Sequence, residues 1–275
     1  MLPAIGDFEG NLERIEQFIE MAVSEGAEVV VFPELTISGY TWDEAILKRG
    51  ALFFSEVAKK KLLKLSREGQ ILIAVGTPRI VLGKLRNSLV IFKKKRELLF
   101  YDKTHLFRGE KNVFEPGEYF LVFSYRGVVF GTLICYEIGF PEISRILTFK
   151  GSKVILSAFA FGKARGHTYD VATRSRAVEN GVFLVASSMC GEGFVEFVGR
   201  TRIVGPNGKV MNEIESGEGL ICEDLDLDAV YHYRYDEEGD SHAYLRNYMS
   251  HFTRFRRGGY EGEILRNRRN KGNLW

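Results

Sequence analysis

A layered α/β fold follows from three features of the 275-residue sequence. Segments with helical spacing alternate with short valine- and isoleucine-rich runs in both halves of the chain. Between the halves lies a stretch of strand-like runs joined by tight turns. No linker, low-complexity block or internal repeat separates them, so one domain is expected. A hydrophobic fraction of 45%, with 13% aromatics, is enough for a core of that size.

The elements follow in order. Asn11 to Glu25 carries apolar residues at Leu12, Ile15, Phe18, Ile19, Ala22 and Val23, which is helical spacing, with Asn11 as N-cap and Gly26 as stop. EVVVFPE (28–34) is too short for a helix and reads as a strand buried on both faces. Ser55 to Arg67 is a second helix, apolar at Val57, Ala58, Leu62 and Leu65, and ILIAVG (71–76) is the next buried strand. NSLVIF, ELLFYDK, YFLVFSYRG and VVFGTLICYE are strands of hairpins or a meander. Pro141 to Lys150 suits a helix, because proline is tolerated in a first turn. KVILSAFA is a strand, His167 to Asn180 a helix closed by Gly181, and VFLVASS a strand. GRTRIVGPNGKVMNEI is a hairpin turning at PNG, and the alternation of GLICEDLDL (219–227) predicts a last strand. Beyond residue 231 the chain is aromatic and increasingly arginine-rich without clear periodicity. The domain is therefore expected to span 1–231, and 232–275 to pack across a neighbouring subunit.

Composition narrows the function. A formal charge of +2 gives no general argument for nucleic acid or a membrane surface, so the tail as a nucleic-acid arm is the weaker reading. The odd set Cys135, Cys190 and Cys222, in a chain too large to need disulfides, points to a reducing, cytoplasmic setting. The acidic opening MLPAIGDFEGNLERIEQ does not have the form of a signal peptide. The longest apolar run, GVVFGTLICY, is about half of the ~20 residues that span a bilayer.

Four residues could carry chemistry. Glu34 lies just past a buried strand ended by Pro33, where α/β sheets bind ligands, although a solvated carboxylate would fit the same position. Lys103 follows a strand among apolar neighbours and either snorkels or pairs with a buried carboxylate; His105 beside it reads as structural. Glu110 sits in a polar loop before FEPG. Cys135 ends a strand, and its thiol needs activation, since a free cysteine is only a few per cent thiolate at neutral pH. No histidine stands in an obvious partner position, so its base would be a carboxylate. No cysteine–histidine cluster has metal spacing, and neither metal nor cofactor is expected.

Pro33-Glu34 with Tyr40 beyond it, YDKTHLF (101–107) and ICYEIGFPE (134–142), in that order, resemble the nitrilase or carbon–nitrogen hydrolase superfamily. RAVEN (176–180) and GRTRIVGPNGKV (199–210) extend the resemblance, which covers about residues 5–228. It implies a four-layer α-β-β-α sandwich, often a homodimer whose C-terminal tails cross between subunits. It also implies Glu34 as general base, Cys135 as nucleophile, Lys103 as the cation facing the oxyanion, and Glu110 as support for Lys103 or substrate. The Tyr136 backbone N–H would join Lys103 at the oxyanion. Members normally open with a further strand, which here is expected to be mostly missing unless the start is assigned late. The hairpin serine is replaced at Thr201-Arg202, and Tyr169 stands where an aromatic nearer the substrate-loop histidine is usual. Tyr136 rather than tryptophan after the cysteine favours a small amide or ureido (N-carbamoyl) substrate over a nitrile. Tyr40, Trp42, Tyr136, Phe159, Phe161, Arg165 and His167 are the candidate pocket residues, and a pocket arginine would favour a carboxylate-bearing substrate. A catalytically idle binding protein on this fold is the alternative that the intact Glu34, Lys103 and Cys135 argue against.

Overall fold

The computed structural model describes residues 1–93 and 97–255. Its helices are α1 (Phe8–Ser24), α2 (Glu44–Phe53), α3 (Lys59–Glu68), α4 (Pro141–Phe149), α5 (Gly166–Val178), α6 (Ala229–Tyr235) and α7 (Tyr244–Phe255). One sheet contains β1 (Val29–Val31), β2 (Leu72–Val81), β3 (Lys84–Lys93) and β4 (Glu97–Asp102), in that order. The other contains β5 (Val122–Tyr125), β6 (Val128–Ile134), β7 (Val154–Phe159), β8 (Phe183–Ser188), β11 (Thr201–Val204) and β12 (Val210–Ile214), with β12 and β5 at the edges. β9 (Cys190–Glu192) and β10 (Glu196–Val198) form a separate antiparallel pair.

Alternation along β2 explains the layers. Leu72 and Ala74 join Leu89, Ile91, Leu133 and Leu156 in the core between the two sheets. Ile71, Ile73 and Val75 pack instead against Ile15, Ile19 and Leu62 of the helices on the outer face. Both faces of the strand are thus covered, which is why it reads as a continuous apolar run. On the far side, Ile143 and Leu147 of α4 and Ala172 and Ala177 of α5 pack on the second sheet. The chain is a four-layer α-β-β-α sandwich. Among the described residues, no helix is long and apolar enough to cross a membrane.

Several local expectations need correction. Helix α1 starts earlier than Asn11: the Asp7 carboxylate accepts the Gly10 N–H and caps it. Asn11 is buried within the helix, where its side-chain amide donates to the Ala4 and Ile37 carbonyls and accepts the Ala4 N–H. The second helical run starts at Glu44, capped by Asp43, and reaches Glu68 through a wide π-type turn at Phe54–Ala58. Gly50 lies inside this run at a point of close packing: a Cβ there would lie 3.0 Å from Ser38 Cβ and 3.2 Å from the Phe8 ring.

The segment 219–227, expected to be a strand, belongs to no ladder. A strand needs a neighbour about 4.8 Å away. Here a cavity of about 590 Å³ lies between this segment and β1, lined by Val29, Val31, Phe130, Leu156, Ile203 and Leu225 among others. Four strands face six, and β1 pairs only with β2, so its outer edge carries no strand among the described residues.

The C-terminal region departs from the aperiodic reading by forming α6 and α7. α6 spans the boundary drawn at 231 and docks on its own chain. The buried Arg234 guanidinium donates to the Asn180, Gly181 and Ser152 carbonyls, and burial lowers its pKa to about 10. The arginine-rich end beyond 255 lies outside the described residues.

Candidate active site

Glu34 is carried past the end of β1 by Phe32 and Pro33, and this corner lies directly on β2. A Cβ on Gly76 would come within 2.3 Å of the Pro33 carbonyl oxygen, so only glycine allows the approach. Lys103 follows β4, and its N–H donates to the Asn87 carbonyl of β3. Glu110 lies in the turn Arg108–Asn112, and its carboxylate accepts the Phe107 N–H at 2.9 Å. Cys135 follows β6 as the first residue of a short 3-10 turn, Cys135–Gly139.

The three ionisable side chains form one buried cluster. Lys103 Nζ lies 2.6 Å from Glu34 Oε1 and 2.9 Å from Glu110 Oε2, and all three side chains are 0% exposed. The Asn87 side-chain amide donates to Glu34 Oε1 at 2.7 Å, and the Ala160 N–H donates to Glu34 Oε2 at 3.1 Å. The Ala160 backbone also acts on Cys135, where it lowers the thiol pKa slightly against the larger effects of burial and Glu34. Tyr40 donates its hydroxyl to Glu110 Oε1 at 2.7 Å, and Trp42 Nε1 donates to the Tyr40 hydroxyl at 3.3 Å.

Burial shapes the charges. It raises the Glu34 pKa above 4.5, against the pull of Lys103. For Lys103, burial alone would lower the pKa, but Glu110 and Glu34 outweigh it and hold it well above 10.5. Burial and then Glu34 push the Cys135 thiol well above 9.0, with Lys103 opposing. At neutral pH the site therefore holds a protonated thiol beside a carboxylate of raised basicity and a fixed ammonium.

The backbone at Cys135 is unusual. Its φ is +48°, in the left-handed region that L-residues adopt at a cost of about 1–2 kcal/mol. Tyr136 is the second residue of the turn, where an amide has no partner inside the helix. The elbow is braced by Glu137, which is fully buried. It accepts hydrogen bonds from the Ile134 N–H (2.7 Å), the Thr104 N–H (2.7 Å) and hydroxyl (2.6 Å), and the Tyr101 hydroxyl (2.8 Å). One carboxylate thus ties the Cys135 turn to the segment that carries Lys103. His105 is structural as expected, with Nδ1 at 2.8 Å from the Thr104 hydroxyl and its ring on Phe140.

The other candidates divide. Tyr40 and Trp42 join the cluster through the hydrogen bonds above. The Tyr136 ring, 37% exposed, meets Phe107 at 5.1 Å, and Arg165 lies over Phe107 at 4.4 Å and over Phe161 at 5.3 Å. Phe159 is fully buried against Tyr169, and His167 is exposed on the first turn of α5; no contact of either with the cluster is seen among the described residues. Arg202, at the altered hairpin position, is fully buried and paired with Asp170 and Glu213, which fastens α5 to the hairpin. Sequence reasoning missed Asn87 and the Ala160 amide. An asparagine at the start of an apolar strand, NSLVIF, was the one available signal.

Residues 2–235 match the family model described as carbon-nitrogen hydrolase. An (R)-stereoselective amidase from a Pseudomonas species is 32% identical, over 81% of this chain and 81% of its own length. The human omega-amidase NIT2 is 29% identical, over 79% of this chain and 83% of its own. Among solved structures, Saccharomyces cerevisiae Nit3, a member of branch 10 of the nitrilase superfamily, is similar with a TM-score of 0.78 and 27% identity, covering 85% of this chain and 90% of that one. A mutant of the amidase from Nesterenkonia sp. AN1 in complex with butyramide has a TM-score of 0.78 and 25% identity, with 92% of each chain covered.

Proposed function

The chain belongs to the carbon–nitrogen hydrolase family, and we propose that within it this protein hydrolyses a small amide through a thioester on Cys135. The observation that carries the reading is the Glu34–Lys103–Glu110 cluster, wholly buried beside a thiol on a strained elbow. A structural ion pair has no need of a neighbouring cysteine in the left-handed region, whereas a presented nucleophile does.

The steps follow from the groups. As the Cys135 sulfur bonds to the amide carbonyl carbon, its proton passes to Glu34, whose raised basicity suits the task. The carbonyl oxygen becomes an oxyanion stabilised by the Lys103 ammonium and the Tyr136 N–H. Glu34 returns the proton to the nitrogen as the carbon–nitrogen bond breaks, which leaves a thioester and a free amine or ammonia. Water, losing a proton to Glu34, then attacks the thioester carbonyl; as the carbon–sulfur bond breaks the acid is released, and Glu34 returns the proton to the Cys135 sulfur, restoring the thiol. Glu110 holds Lys103 from the far side, and Tyr40 holds Glu110. Relatives named amidase and omega-amidase support an amide, and others are named nitrilase, so the nitriles in the test below decide between them. The Arg165 guanidinium over Phe107 supports an amide that also bears a carboxylate, with an N-carbamoyl compound as the neighbouring class.

The reading is tested by ammonia release across simple amides, ω-amides, N-carbamoyl compounds and nitriles, with mass spectrometry of the quenched enzyme. An acyl adduct on Cys135 with amides supports it. Release from nitriles alone moves the substrate class, and neither adduct nor ammonia from any of them favours the binding-protein alternative.

The pH dependence is also set. Glu34 must be ionised to act, so kcat/KM falls as pH drops through its raised pKa, and the acid limb lies above the ordinary carboxylate value. Lys103 stays charged throughout and contributes no alkaline loss. Asn87→Ala removes a donor that stabilises the Glu34 carboxylate, and is expected to move the acid limb up by about 1–2 units, since a hydrogen bond to a charged group contributes about 1.5–3 kcal/mol. An unmoved limb in the pH profile of this variant would show that Glu34 is not the titrating base.

A further inference from the structure

We propose that Phe194 and Val195, at the tip of the β9–β10 hairpin, limit the bulk of the amide that reaches Cys135; this rests on the amide-hydrolase reading above. The hairpin stands outside both main sheets, and its tip presents two large apolar side chains, Phe194 at 38% and Val195 at 43% exposure. Such exposure has no packing benefit at a free hairpin end, but it does at the rim of a site that closes on a substrate.

The contacts place the tip on that rim. The Phe194 ring lies 4.8 Å from Trp42 and 5.7 Å from Tyr40, centroid to centroid. Tyr40 is the residue whose hydroxyl holds Glu110, so a single ring separates Phe194 from the buried cluster. Trp42 in turn packs on the backbone just before Glu110: a Cβ on Gly109 would lie 2.3 Å from Trp42 Cε3. On the other side, Val195 Cγ2 and the Arg165 guanidinium each lie 3.7 Å from where a Cβ on Gly162 would be. Arg165 leads back through Phe107 to Tyr136, the residue after the nucleophile. Phe194 thus reaches the buried cluster through Tyr40 and Trp42, while Val195 shares the space at Gly162 with Arg165, which leads through Phe107 to Tyr136, so the hairpin tip flanks the cluster on two sides.

The hairpin's strands are held by backbone hydrogen bonds and an ion pair, while among the described residues its tip is held only by ring contacts. The Val198 N–H donates to the Phe161 carbonyl at 2.7 Å, Gly162 bridges to Phe197, and Lys163 pairs with Glu196 at 2.5 Å. Phe197 is buried against Tyr40. Truncating Phe194 or Val195 thus removes rim without removing an anchor.

The test compares wild type, Phe194→Ala and Val195→Ala in labelling of Cys135 by iodoacetamide and by the bulkier N-benzyl-iodoacetamide, followed by peptide mass spectrometry. Ammonia release from acetamide and phenylacetamide is measured alongside. The benzyl-to-parent ratio of labelling rates is expected to rise about tenfold in Phe194→Ala and less in Val195→Ala, with the thermal midpoints unchanged. A ratio within twofold of wild type in both variants, or no labelling of Cys135 in any of the proteins, overturns the proposal. Because labelling needs no turnover, a wild type that labels but releases no ammonia would fail the amide-hydrolase reading while still deciding the role of the rim.

Discussion

Lys103→Leu is expected to lower stability by about 3–5 kcal/mol at neutral pH, in addition to abolishing activity. Lys103 is the cation between Glu34 and Glu110, and none of the three side chains reaches solvent. Leucine fills similar space but leaves two buried carboxylates facing each other without a counter-ion. Each then holds its proton more tightly in the folded protein than in the unfolded chain. The folded variant binds more protons than the unfolded one between the unfolded carboxylate pKa, near 4.5, and the raised folded values. Its stability therefore rises as pH falls through that window. Urea unfolding at pH 7.5 and pH 5 checks this: the deficit relative to wild type should shrink at the lower pH. An equal deficit at both would mean that lost packing, not unpaired charge, is responsible.

Cys135→Ala is expected to reduce ammonia release by on the order of 10⁴-fold or more while leaving the fold intact. The substitution removes one sulfur from a site whose other hydrogen bonds run among Glu34, Lys103, Glu110, Asn87 and Tyr40 without it. Substrate should still bind, and the acyl adduct seen by mass spectrometry in wild type should vanish. Cys222→Ala serves as the control. That thiol is raised by burial and by Glu25 and Glu223, with no cation to offset them, and its loss should leave turnover unchanged. Wild-type ammonia release from the alanine variant would refute covalent catalysis at this position.

What the sequence made legible was local. Glu34 and Cys135 each end a short apolar run, Lys103 follows another, and the strands of the two main sheets were placed to within a few residues, whereas the β9–β10 pair was not read. What it concealed was non-local. Asn87 reaches Glu34 across 53 residues and the Ala160 amide reaches it across 126, and no pattern along the chain encodes either meeting. GLICEDLDL alternates like a strand, but a strand also needs a partner, and the cavity lies where that partner would stand. Helix α2 was not read, and the packing of Gly50 within it against Ser38 and Phe8 is visible only after folding. Asn11 resembled a cap because caps and buried side-chain amides draw on the same residue type.

At position 135, survival of the fold and survival of the activity select different residues. A glycine tolerates a φ of +48° without strain, and a cysteine does not. Elsewhere alanine-to-glycine exchange loosens a protein; here Cys135→Gly should melt at or above Cys135→Ala, and a lower midpoint in differential scanning calorimetry would contradict this. A lineage released from the need for this activity would drift toward glycine at 135 and become more robust as it did so. The cysteine therefore carries a backbone cost that glycine would not, and the left-handed turn beneath it is where that cost falls.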